Sequence, residues 1–206
     1  MLRSLWSRIR PAKDPYEEFY VNVAPADPRN LIVDRIRGAP DGSVFAVKAE
    51  THTPEIMASH VKELGRFFGA DLVHIAEARG LGLGGGEVAG EGEDQDELPF
   101  AVFCLFRSEH DTRAAAGIGG QVAALKGAFA TFQLSAVVRE YGFQARRTFH
   151  AALDEAAAKA GLGTLDGRGR LITPGFGVKV HIADVILTDL PVAVDQGAGV
   201  AARGQT

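Results

Sequence analysis

Residues 160–192 read Ala-Gly-Leu-Gly-Thr-Leu-Asp-Gly-Arg-Gly-Arg-Leu-Ile-Thr-Pro-Gly-Phe-Gly-Val-Lys-Val-His-Ile-Ala-Asp-Val-Ile-Leu-Thr-Asp-Leu-Pro-Val, and this stretch decides the fold of the chain. It follows the alanine-rich segment 150–159. Gly161 and Gly163 stop that segment, because glycine adopts the left-handed conformation that closes a helix without steric cost. The sequence therefore predicts a helix that ends near Lys159.

Further glycines follow this helix and predict a looping backbone that could pass close to a ligand with its amide donors facing it. A strand is expected at 178–187, where Val180 and Ile182 alternate with Lys179 and His181. This period of two is typical of a half-buried edge strand, and it places Lys179 and His181 on one face. A glycine-rich connection between a helix and a strand is usually a plain turn, so spacing alone does not identify a site.

The order of residues in this stretch resembles the segment that closes the corrinoid-binding domain of cobalamin-dependent reductive dehalogenases and epoxyqueuosine reductases. The similarity lies at Ala160 to Gly163, at Leu171 to Pro174, at Phe176 with Gly177, and at Thr188 to Pro191. Fainter similarity upstream includes 56–76, 99–105 and the end of a long helix at 138–143. The resemblance implies an α+β fold, a nitroreductase-like sandwich in which helices flank a mainly antiparallel sheet.

The resemblance also implies a base-off corrinoid, cobalamin, as the cofactor. The residues that it carries over to cofactor binding are Gly161, Leu162, Gly163, Arg168, Thr173, Pro174, Phe176 and Gly177. The family's Gly-Arg-Asn-Gly element becomes Asp-Gly-Arg-Gly at 166–169, which shifts its arginine by one position. The domain boundaries that follow are an extended N-terminal arm at 1–42, the corrinoid-binding domain at 43–192 and a flexible tail at 193–206.

Cysteine marks the first departure from the family. Relatives that carry iron–sulfur clusters place two four-cysteine runs after Thr-Asp-Leu-Pro, since each cubane needs about four thiolates. This chain has one cysteine, Cys104, inside the apolar run 100–106, where a buried and inert thiol is expected. No iron–sulfur cluster can be built from it, so a reductase of this type would depend on a separate electron-donor protein.

The second departure concerns the proton donor. Dehalogenases of this kind use a tyrosine near the start of the long helix, and Ala124 stands at that place. Lys179 and His181 stand where the family has the arginines of Arg-Val-Arg; lysine keeps the charge but loses the planar fork. We expect catalysis, if it survives, to use His181 and Lys179, because imidazole exchanges a proton near neutrality. His150 and Tyr141 are alternative donors.

Three functions therefore stay open. The first is a corrinoid-dependent reductase fed by a separate donor, and the second is a corrinoid carrier or sensor without chemistry. The third is a flavin-dependent oxidoreductase that binds FMN in the nitroreductase manner, which is disfavoured because the expected basic phosphate clamp is not evident. The missing tyrosine and clusters favour corrinoid binding over dehalogenation.

Composition sets wider limits. The chain has 206 residues, of which 46% are hydrophobic, enough to bury one core, and its net charge of −4 argues against a nucleic-acid partner. The apolar residues of 1–13 are too interrupted for a signal peptide or a membrane span, so a cytoplasmic protein is expected. The histidines show no metal-ligand spacing. A homodimer is an open alternative, since nitroreductase-like folds often dimerise.

Upstream of the decisive stretch, the pattern predicts a strand at 43–49, a helix from Pro54 to Gly69 capped by Thr53, and a strand at 71–76. A second long helix is expected at 119–141, with Phe129 on its buried face. The intervening segment 79–97 contains Gly-x-Gly-x-x-Gly but runs into acidic residues, which would repel a dinucleotide phosphate. We interpret it as an acidic surface loop.

Overall fold

The structure is a computed structural model that describes residues 32–83, 98–108, 118–149 and 152–196. Within these ranges the helices are α1 (Ile32–Arg37), α2 (Pro54–Phe67), α3 (Ile118–Glu140) and α4 (Leu153–Lys159). The strands are β1 (Leu72–Glu77), β2 (Phe100–Arg107), β3 (Ala145–Thr148), β4 (Thr164–Leu165), β5 (Leu171–Ile172) and β6 (Val180–Thr188). The expected α+β fold class is confirmed.

Four strands form one antiparallel sheet in the order β1-β2-β6-β3, and β4 pairs with β5 in a separate hairpin. Strand β6 lies in the interior of this sheet, hydrogen-bonded to β2 on one side and β3 on the other. Every residue from Ile182 to Leu187 is buried. The expectation of a half-buried edge strand is therefore wrong, because helices cover both faces of β6.

Helices α2 and α3 cover one face of the sheet, and α4 with the β4–β5 hairpin covers the other. The core on the α2–α3 face includes Val61, Ile75, Phe106, Leu134 and Ile186. The core on the α4 face includes Phe103, Leu105, Leu162, Leu171 and Val185. Strand β6 contributes to both cores, which explains its continuous apolar sequence.

Helix α2 follows the sequence expectation. Thr53 occupies the N-cap position, although its side chain makes no capping hydrogen bond. Pro54 starts the helix, and Gly69 lies just beyond its end with a φ of +102°. Such a φ is strained for residues with a Cβ, which is why glycine ends the helix there. Leu64 and Phe68 pack against the core, as the apolar stripe predicts.

Helix α3 was also expected, and it lies across β6 and β2. A Cβ on Gly127 would collide with Ala183 and touch the Phe106 ring, so this glycine lets the helix approach the sheet closely. Phe129, expected to be buried, is 48% exposed, because small residues such as Ala128 and Ala130 make the contact instead. Gln121–Glu140 is long and apolar enough to span a membrane by composition, a test that core helices also pass.

Two N-terminal expectations differ from the structure. Residues 43–49 are not a strand, although the N–H groups of Phe45 and Ala49 donate to the carbonyls of Arg139 and Tyr141 at the end of α3. The described part of the predicted arm contains helix α1, which packs on α3 through Val33 and Ile36 rather than running extended. The acidic segment 84–97 lies outside the described residues.

Candidate functional site

The glycine-rich segment folds as two consecutive tight turns. The first closes the β4–β5 hairpin, where the Asp166 carboxylate accepts the backbone N–H groups of Arg168 and Arg170 at 2.8 and 2.9 Å. The side chain of Arg170 also donates to it at 2.7 Å. The hydrogen bonds from the backbone and side chain of Arg170 lower the pKa of Asp166 to about 2. This carboxylate is a structural element of the turn.

The second turn spans Thr173 to Gly177. The N–H groups of Phe176 and Gly177 both donate to the Thr173 carbonyl, at 3.0 and 2.8 Å. Amide donors that were expected to face a ligand are therefore used within the turns at these positions. Gly163 also serves the hairpin, because a Cβ there would collide with the Ile172 carbonyl on the facing strand. At Gly163 the backbone therefore approaches another part of this chain, not a ligand.

The structure distributes the expected binding residues over different environments. Gly161 ends α4 with a φ of +83°, and Leu162 is buried in the core on the α4 face. Arg168 and Pro174 are exposed at the tips of the two turns. The Phe176 ring lies 5.1 Å from the Arg107 guanidinium, a cation–π contact that joins the second turn to the end of β2.

Thr173 and His181 carry polar atoms that are buried without a hydrogen-bond partner. Thr173 is 2% exposed, and neither its Oγ1 nor the Nε2 of His181 has a partner in the part of the chain that the structure describes. Buried polar side chains are almost always hydrogen-bonded, and each exception calls for an explanation. Both belong to the residue set that the sequence predicted, so each marks a candidate position, Thr173 in the turn after β5 and His181 on β6.

His181 lies on β6 directly opposite Phe106 of β2. Burial lowers its pKa, and the charge of Arg37 lowers it further, while the carboxylates of Asp154 and Asp184 raise it. The net direction is downward from the ordinary value of about 6.5, so the imidazole is neutral at neutral pH. Lys179, two residues earlier, is exposed just before the strand.

A buried ion pair stands beside this histidine. The Arg37 guanidinium donates from Nε to Asp184 Oδ1 at 2.9 Å and from Nη2 to the Ala183 carbonyl at 2.6 Å. Thr131 of α3 donates to the other carboxylate oxygen of Asp184 at 3.0 Å, and Asp184 is completely buried. Sequence reasoning missed this cluster, although one aspartate within an apolar strand was a signal for it.

The remaining candidates do not join the site. Ala124, at the place of the family's tyrosine, packs near α1, and Tyr141 packs on the core of the α2–α3 face. His150 lies outside the described residues. Burial raises the pKa of the Cys104 thiol to about 12, so this cysteine is inert as expected. No group of three or more metal-ligating side chains occurs among the residues that the structure describes.

No family model matches the chain, and no curated protein matches it. Solved structures do. A reductive dehalogenase reported to suggest a mechanism for B12-dependent dehalogenation superposes with a TM-score of 0.64 at 24% identity over 81% of this chain. The tagged catabolic reductive dehalogenase NpRdhA gives 0.65 at 22%, and its complex with 3-bromo-4-hydroxybenzoic acid gives 0.64 at 24%.

This chain spans about a quarter of the length of those dehalogenases, since it covers 26% of each. At such identities the likeness shows a shared fold. It agrees with the resemblance that residues 160–192 suggested, and it extends that resemblance to most of the described chain. The activity of the whole dehalogenases does not follow from it.

Proposed function

We propose that this protein binds a corrinoid in the manner of the B12-dependent reductive dehalogenases, on a nitroreductase-like sandwich. The observation that carries the proposal is the likeness of fold over 81% of the chain to B12-dependent dehalogenases. The family-like sequence at Leu171 to Pro174 and Thr188 to Pro191 supports it independently. A corrinoid, when bound, supplies a cobalt centre that can carry electrons to a substrate.

The residues of the second turn fit such a group. Thr173 Oγ1 is buried without a partner among the described residues, and a bound polar group could satisfy it. His181 Nε2, on β6, is likewise buried without a partner in those ranges. A Cβ on Gly175 or Gly177 would meet nothing within 4 Å, so the outer surface of the turn is open. We assign the cofactor-contacting role to this turn rather than to Gly163, whose neighbour is the Ile172 carbonyl.

In a reductase, His181 would hold or move the proton. Its lowered pKa keeps the imidazole neutral at neutral pH, so it serves as a hydrogen-bonding group or proton acceptor more readily than as an acid. Electrons would come from a group outside these 206 residues, because Cys104 is the one cysteine in the sequence and is buried. A carrier or sensor would need the same cofactor-binding residues but no electron donor.

The deciding experiment is reconstitution of the purified full chain with hydroxocobalamin, with FMN in a parallel sample, followed by desalting and a visible spectrum. The proposal predicts that cobalamin is retained with a base-off spectrum. Retention of yellow FMN alone would replace the proposal with the flavin alternative. Failure to retain either cofactor would refute cofactor binding by this chain.

Variants at the second turn sharpen this test. Thr173→Val removes the unpartnered hydroxyl with little change in shape, and we expect it to lower cobalamin retention about tenfold through the loss of one buried hydrogen bond. Thr164→Val, an exposed threonine of the β4–β5 hairpin, is the matched control and should bind normally. Equal retention by both variants would show that Thr173 does not contact the cofactor.

A further inference from the structure

Strand β6 contains a one-residue bulge near its start. Phe103 of β2 pairs with Val185, but two residues later Leu105 pairs with Ile182, so three steps along β6 face two along β2. Both Val185 and Ile182 belong to the core on the α4 face. The strand has therefore inserted one extra residue between them, and bulges of this kind re-aim the side chains that flank them.

The two residues between Ile182 and Val185 both point to the α3 side. Ala183 lies against Gly127 of α3, and Asp184 accepts a hydrogen bond from Thr131 of the same helix. Such a pair on one face is what an inserted residue produces, since side chains of a regular strand alternate between faces.

The bulge decides the face on which His181 lies. His181 is directly opposite Phe106, whose ring belongs to the core on the α2–α3 face, and residues directly opposite each other share a face. Strict alternation back from Val185 would instead turn His181 toward α4, because a shift of one residue exchanges the faces of a strand.

Arg37 holds both bulge residues at once. Its Nη2 donates to the Ala183 carbonyl and its Nε donates to the Asp184 carboxylate, while its guanidinium lies 4.9 Å from the Phe149 ring. Helix α1 places it there by packing Val33 and Ile36 against α3. A planar guanidinium matches this fixed pair of acceptors in a way that a single ammonium group cannot.

We propose that Arg37 is a positioning residue for the candidate site: by holding Ala183 and Asp184 in the bulge, it turns His181 to the α2–α3 face of the sheet. Helix α1, which precedes the corrinoid-binding domain suggested by sequence, is thereby a part of the site. The inference rests on the proposed function only in treating His181 as a site residue.

The charged groups that bear on His181 come from three elements. Arg37 on α1 disfavours the imidazolium, while Asp154 on α4 and Asp184 on β6 favour it. Removal of Arg37 should therefore raise the pKa of His181, and neutralisation of Asp184 should lower it. These shifts follow from the charges alone, so the readout that tests positioning is the contact between His181 and Phe106.

The test uses the cofactor-free full chain labelled with ¹³C-histidine, in which His181 is assigned by its disappearance in His181→Gln. In the unchanged protein we expect nuclear Overhauser contacts between the His181 and Phe106 rings. Arg37→Gln should raise the pKa of His181 and remove these contacts, and Arg37→Lys should restore them in part. The exposed Arg35→Gln on the same helix should change neither readout.

A folded Arg37→Gln protein with unchanged contacts between His181 and Phe106 would overturn the proposal. Where Arg37→Gln does not fold, Asp184→Asn carries the test, because the amide keeps an acceptor oxygen for Arg37. Its contacts between His181 and Phe106 must weaken, because a neutral amide holds the guanidinium less strongly than a carboxylate does, and unchanged contacts would contradict the proposal. Neither readout involves cobalamin, so failure here is distinct from failure to bind the cofactor.

Discussion

Strands β1 and β6 each bury a histidine, and the two histidines differ in their partners. His74 on β1 has its Nε2 2.9 Å from the Ala160 carbonyl, and its Nδ1 lies 3.5 Å from the Asp195 carboxylate. His181 on β6 has a buried Nε2 without a hydrogen-bond partner in the described ranges. Burial is the largest cause that lowers the pKa of each.

The difference teaches how to separate a structural histidine from a candidate functional one. Burial and a lowered pKa are common to both, so neither property identifies a site. The hydrogen bond between His74 and the Ala160 carbonyl joins the chain after α4 to β1, and this partner explains the burial of His74. The adjacent Ile75 N–H donates to the Asp195 carboxylate. His181 Nε2 is buried with no hydrogen bond to offset the cost within the described ranges, which is the state expected of a group awaiting a ligand.

The largest expected effect concerns the ion pairs next to the two histidines. Arg37→Met would leave the fully buried Asp184 without its cationic partner, and we expect a loss of about 3 kcal/mol in the free energy of unfolding. Lys62→Met breaks the pair with Asp195, which is partly exposed, and should cost about 0.5 kcal/mol. Urea denaturation of both variants measures the two losses in free energy of unfolding. Equal losses would show that the two ion pairs contribute equally to stability.

The histidines themselves give a smaller effect. His74→Leu leaves the Ala160 carbonyl without its partner and should lower the free energy of unfolding by about 1–2 kcal/mol. His181→Leu removes an atom that has no partner within the described structure, so stability should change by less than about 0.5 kcal/mol or increase. A large loss in His181→Leu, measured by thermal and urea unfolding, would mean that His181 is structural.

The smallest effect is a dependence on pH. Both histidines have folded-state pKa values below the ordinary value, so the unfolded chain binds protons more readily and stability falls as pH drops below about 6.5. Above that pH both histidines are neutral in the folded and unfolded states, and this loss of stability is absent. Urea midpoints at about pH 7.5 and about pH 5.5 should differ less in His74→Leu/His181→Leu than in the unchanged protein. An identical difference would assign the pH dependence to other groups.

Much of the architecture could be predicted from the sequence because its signals are local. Pro54 and Gly69 bound α2, and Gly161 ends α4, since these residues fix or free single backbone angles. The strand at 43–49 was wrong because its apolar alternation does not reveal whether a partner strand exists. The exposure of Phe129 was missed because Gly127 brings α3 so close to β6 that small side chains make the contact.

The candidate site could be predicted in part. The resemblance selected Thr173 and His181, and the structure finds their polar atoms buried without partners among the described residues. The resemblance also assigned Gly163 and Arg168 to cofactor binding. In the structure, Gly163 lies against Ile172 and the Arg168 N–H donates to Asp166 within a turn. Glycine-rich sequence predicts tight turns, but it does not say whether the amides of those turns face inward or outward.

The sequence by itself determined the elements with local signals, the inert Cys104 and the likeness to the dehalogenase fold at 160–192, because each depends on residues adjacent in the chain. Only the tertiary structure decided that β6 is central, that Arg37 from α1 reaches Asp184, and that a bulge turns His181 toward Phe106. The reason is physical: burial, charge pairing and strand register are set between residues far apart in the chain, such as Arg37 and Asp184 at 147 positions, where no local pattern records them.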